Sequence, residues 1–136
     1  MKSRSESLIR LKKFQVDEKR RQVAQIEMMI ADFERMAAEL DQQIEIEQQK
    51  TGISDVAHFA YSTFAKAAMQ RRDNLLRSAA DMRDQLETAQ DALAEAVEDL
   101  KKVELLDQRE HGREAAEEAR TEQAAYDEIG RLRHRR

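Results

Sequence analysis

The chain is 136 residues long, with 38% charged residues, 4% aromatics, no proline and no cysteine. That length suggests one domain, but the composition excludes a compact mixed core, a disulfide framework and a thiol nucleophile; Ala, Glu, Gln, Arg, Asp and Leu dominate, as in long helices. The net charge of −4 conceals basic ends: residues 1–21 carry eight Lys/Arg against three Asp/Glu, and RLRHRR at 131–136 adds four Arg.

The amino-terminal MKSRSESLIRLKKF has no apolar run of secretory type, and no stretch approaches the ~20 apolar residues that cross a bilayer, so the expectation is a cytoplasmic protein. β-branched and aromatic residues never alternate long enough for a strand. Between the basic ends, 12 basic residues stand against 25 acidic ones. Such ends could meet nucleic acid, acidic lipid or an acidic protein surface, and the overall acidity makes nucleic acid the weakest of the three.

The first arm has a seven-residue period. Ile9, Val16, Val23, Ile30, Ala37 and Ile44 form one row, and Lys12, Lys19, Ile26, Phe33, Leu40 and Glu47 follow three positions later. This 3,4 spacing predicts a helix over residues 3–50 that supercoils left-handedly against a partner. Leu8, Leu11 and Phe14 lie off the row. They read either as ordinary surface hydrophobes or as a docking face, with Lys12, Lys13, Arg20 and Arg21 steering a partner by charge.

QQKTGISDV, residues 48–56, is the one break in the first 110 residues. Gly52 suits the left-handed conformation past a helix end, and Ser54 or Asp55 offers an N-cap for the next helix. A turn is therefore expected at about residues 51–55. Apolar residues gather around it: Ile46, Ile53, Val56, Phe59, Tyr61 and Phe64. Tyr61 falls in the seam and reads as core, while Phe59 and Phe64 cannot both face inward. The cluster either caps the tip or binds a partner through Ile46, Phe59, Tyr61 and Phe64.

The second arm carries its own seam, Ala68, Leu75, Met82, Ala89, Ala96 and Val103 interleaved with Ala65, Arg72, Ala79, Leu86, Leu93 and Leu100. Folding at Gly52 and Ile53 opposes Val23 to Met82, Ile30 to Leu75 and Ala37 to Ala68. The predicted fold class is an all-α, two-helix antiparallel coiled-coil hairpin with unequal arms, the second helix running from 55 to 125. Beyond about residue 105 the seam fails at Asp107, Glu110, Glu114 and Glu117, so an overhang is expected, and residues 126–136 read as a flexible basic tail.

Enzyme chemistry has no footing in this pattern. Gly52, Gly112 and Gly130 are too scattered to cradle a phosphate, and His58, His111 and His134 form no metal-binding spacing. The reading is therefore a non-enzyme with no catalytic residues, no cofactor and no metal.

The segment SLIRLKKFQVDEKRRQ resembles the start of FliJ-type proteins of the flagellar export apparatus, through Leu8, Leu11, Lys12, Lys13, Asp17, Glu18, Lys19, Arg20 and Arg21. The length, the two arms and the charged carboxy-terminal arm extend the resemblance along the chain. It implies a cytoplasmic coiled coil, peripheral at most to the cytoplasmic face of the inner membrane. The implied partners are the hexameric flagellar export ATPase, the membrane export-gate protein and export chaperones, with the terminal end entering the ATPase ring and the turn end free for another partner. The equivalent stalk of a virulence-type secretion system, and a scaffold that self-associates through the overhang, are the alternatives.

Overall fold

The computed structural model describes residues 4–134, and these are all-α: α1 spans Arg4–Thr51 and α2 spans Thr63–His134. α1 carries Glu6 in its first turn and Lys50 in its last, the signs that favour each end of a helix dipole. α2 ends in Arg131, Arg133 and His134. The chain divides into two compact units, one of residues up to Val16 with those from Glu95 onward, the other of Asp17–Ala94.

In the Asp17–Ala94 unit, α1 and α2 pack side by side as a hairpin. Val23, Ile30, Ala37 and Ile44 are buried from α1, and Ala65, Ala68, Ala79 and Met82 from α2. These are seam positions read from the periodicity. The centre of the unit is a cluster of Ile30, Ala79 and Met82 with Ile26, Phe33 and Leu86 packed against it. In this cluster Ile26, Ile30 and Phe33 of α1 mesh with Met82 and Leu86 of α2, and the small Ala79 lets the helices approach.

The register differs from the sequence expectation by one heptad. Ile30 packs with Met82, not Leu75. Arg72 bonds to Asp41 (2.8 Å), and Arg83 pairs with Glu34. The cause is the connector. The chain does not re-enter a helix at 55 but spans Gly52 to Ser62 before α2 begins at Thr63. Two seams that each repeat every seven residues fit equally well after a seven-residue slide, and this longer link selects the second alignment.

Local hydrogen bonds hold the connector out of helix. Gly52 has a φ of 74°, and its N–H closes onto the Gln48 carbonyl at 2.9 Å. Asp55 is not the N-cap of α2; its carboxylate accepts the Ala57 N–H at 3.0 Å, forming an Asx turn. Ser62 is the cap: its hydroxyl oxygen accepts the Ala65 N–H at 3.2 Å and its O–H donates to Glu47 at 3.0 Å. Tyr61 is buried, with its hydroxyl accepting from Gln48 Nε2 at 2.8 Å.

In the other unit, Val16 is the one buried hydrophobic residue among those described. Ile9, Lys12, Ala96, Leu100 and Val103 are half-buried. Ser5 donates to Glu110 at 2.9 Å, which ties the first turn of α1 to α2. From Gln108 to His134 every α2 residue is exposed, yet the helix continues. The second helix therefore extends nine residues past the expected end at 125, and 126–134, expected as a flexible tail, are helical; Arg135 and Arg136 lie outside the described residues.

Candidate partner-binding surfaces

The residues singled out near the amino terminus lie on the first three turns of α1. Leu8, Leu11 and Phe14 are exposed at 42%, 49% and 58%. Lys12 occupies a seam position and is half-buried, whereas Lys13 is exposed. Arg20 and Arg21 belong to the other unit and are engaged on their own helix, Arg20 with Asp17 at 3.7 Å and Arg21 with Glu18. The five residues from Leu8 to Phe14 thus form one local group, and the two arginines are separate from it.

Leu8 has neighbours that the sequence reading did not connect with it. Leu8, Val103 and Leu106 line a shallow apolar groove whose rim is formed by Arg4, Ser5, Asp107 and Glu110. Leu105 and Leu106 are exposed at 53% and 59%. The available signal was the Leu105–Leu106 pair, which falls just out of phase where the seam ends.

Past the groove, α2 presents two contrasting sides. Asp107, Glu110, Glu114 and Glu117 continue the seam positions as a carboxylate ridge. Leu105, Gly112, Ala115, Ala119, Tyr126 and Ile129 follow one another at intervals of seven, three, four, seven and three residues on the opposite side, a row interrupted by Gln108 and Glu122. His111 donates its Nδ1–H to the Asp107 carbonyl at 2.8 Å, with the Asp107 carboxylate 3.4 Å away. That backbone bond, followed by the Asp107 charge, raises the His111 pKa above its ordinary value.

At the connector the predicted set separates. Ile46, Phe59 and Phe64 are exposed at 60%, 96% and 56%. Tyr61 is only 5% exposed and is not available to a partner; its place is the core that anchors the connector. Phe59 stacks on His58 with ring centroids 4.7 Å apart. Met28, Met29 and Met36 also stand exposed on α1.

Arg72 is the one seam cation of α2. It bridges Asp41 and Asp73, and its pKa is raised first by the Asp41 hydrogen bond. Among the described residues no group of three His, Cys, Asp or Glu is placed to hold a metal, and no helix is long and apolar enough to cross a membrane.

Two long helices paired through a heptad seam, with one helix running on unaccompanied and exposed apolar residues outside the core, define a coiled-coil interaction protein. The family model for the flagellar FliJ protein matches residues 1–136, the full chain, and the chain belongs to the FliJ family. It is thereby a component of the flagellar export apparatus. Comparisons with curated proteins and with solved structures return no match.

Proposed function

We propose that the chain is a non-enzymatic cytoplasmic stalk that binds and activates the hexameric flagellar export ATPase, and that links it to the membrane export gate and export chaperones. The ATPase contact falls to the unit containing the amino terminus and the end of α2, through Leu8, Leu11, Lys12, Lys13 and Phe14. The gate contact falls to the connector.

The observation that carries this reading is the helix from Gln108 to His134, exposed at every position. An isolated helix of this kind gains little from propensity alone, and most helices in proteins are held by a packed face. A helix with a carboxylate ridge on one side and an apolar row on the other offers a face of each kind to a surrounding protein. Six identical subunits around one helix cannot all make the same contact. Shallow, charged contacts allow alternative registers in such a ring, where deep apolar anchoring would fix one.

The test is ATP hydrolysis by the cognate export ATPase titrated with the chain. Stimulation at micromolar concentration is expected. Joint substitution Leu8→Ala, Leu11→Ala and Phe14→Ala should abolish it with helicity largely retained. Absence of both binding and stimulation would refute the assignment. The apolar row of α2 also supports a second reading, self-association through 108–134; a molar mass by light scattering that stays at the monomer value at all concentrations would exclude it.

A further inference from the structure

We propose that the connector is a preorganised aromatic plug, with Phe59 as anchor and the His58 Nε2–H as its accompanying donor. It is shaped for a concave apolar pocket, with a carbonyl or carboxylate at the rim, on a partner protein. The proposal rests on the reading that the connector docks a protein.

Phe59 is 96% exposed, so it contributes almost nothing to the fold. A loop with a free phenylalanine at its apex would ordinarily be mobile, and ordering it on binding would cost affinity. Here the backbone on both sides of Phe59 is already fixed. The Asp55 carboxylate accepts the Ala57 N–H at 3.0 Å, and the Asp55 carbonyl accepts the His58 N–H at 3.1 Å. The His58 carbonyl accepts the Tyr61 N–H at 3.0 Å, and Tyr61 is itself buried. Each bond closes a turn of two or three residues, and together they bracket the apex.

The fourth bond defines the chemistry of the plug. The Ala60 N–H donates to His58 Nδ1 at 3.0 Å, so Nδ1 must be unprotonated and the neutral ring carries its proton on Nε2. The imidazole stacks on the Phe59 ring at 4.7 Å with 22° between the planes. The pair presents one apolar ring and one outward N–H donor in a fixed relation. Exposed Val56 and Phe64 supply further apolar surface nearby. Aromatic residues are enriched at interface cores, where a few buried anchors carry most of the binding energy.

Local charge argues for a protein pocket over a lipid surface. Residues 45–66 contain Glu45, Glu47 and Asp55 against Lys50 and Lys66. Membrane-surface segments draw on a cluster of basic residues to hold anionic headgroups, and none is present here.

The test uses the full chain, the soluble part of the export-gate protein and vesicles of phosphatidylcholine with phosphatidylglycerol, read by fluorescence anisotropy. The expected result is gate binding that Phe59→Ala weakens by at least about tenfold, the scale of a hot-spot side chain. His58→Ala should weaken it by less, and circular dichroism should be unchanged for both. Wild-type and Phe59→Ala chains binding the gate equally would overturn the plug while leaving connector docking intact. No gate binding by the wild-type chain would overturn both. Vesicle binding that depends on Phe59 would overturn the assignment to a protein pocket.

Discussion

At the scale of single residues, the connector concentrates the side chains whose loss is easiest to read. Gly52 at φ 74° meets nothing within 4 Å of where a Cβ would lie, so the cost of Gly52→Ala is conformational, not steric crowding. A left-handed L-residue costs about 1–2 kcal/mol, and the urea midpoint should fall accordingly. Ser62→Ala removes the cap on Ala65 N–H and the bond to Glu47, and should lower stability by about 0.5–2 kcal/mol in the same assay. His111 gives a pH dependence of known sign. Its pKa in the folded chain is raised, so its stabilising effect is fully present below the unfolded value near 6.5 and is lost as pH rises through the folded value. The helical signal should therefore decline slightly from acidic to alkaline pH, and His111→Gln should flatten that slope, with the ring titration followed by NMR.

At the scale of the elements, the seams were legible and their alignment was not. Each of Val16, Val23, Ile30, Ala37 and Ile44 is buried, as a seven-residue row requires. Gly52 ends α1 as its lack of a Cβ suggests. The start of α2 escaped because SDVAHFAYS contains no glycine or proline to mark it as loop. Its non-helical state comes from Asp55, His58 and Ser62 bonding to nearby backbone N–H groups, which competes with helix without any strong breaker. The last turns of α2 were read as a tail because they lack a seam, yet Arg131, Arg133 and His134 suit a helix carboxy terminus. Leu8, Leu11 and Phe14 could be picked out as off-seam, but the pairing of Leu8 with Leu106 depends on a register that pattern alone does not determine. That register has a direct check. Ile30→Cys with Met82→Cys should cross-link within one chain. Val23→Cys with Met82→Cys should not, because a seven-residue displacement along a helix is about 10 Å.

At the scale of the whole molecule, burial is uneven and stability should follow it. The Asp17–Ala94 unit holds nearly all of the buried apolar residues, whereas the other unit has Val16 alone among those described. Amide hydrogen exchange should be slowest between Val23 and Gln48 and between Tyr61 and Leu86. It should be fastest from Gln108 to His134, where no side chain is covered. Addition of the export ATPase should slow exchange in this last segment if the proposed contact is made there. Surface ion pairs such as Arg35–Asp32 and Arg131–Glu128 are exposed and of small energetic weight, so salt should alter this order little.

The Gly52–Ser62 link also uncouples the tip from the seam. Because it is not helical, residues added to it or taken from it rotate neither apolar row, and Ile30 would still meet Met82. The tip is therefore free to change in length and sequence while the seam stays in register. A single residue inserted within α1 or α2 has no such freedom, since it turns every later position of that row by about 100°.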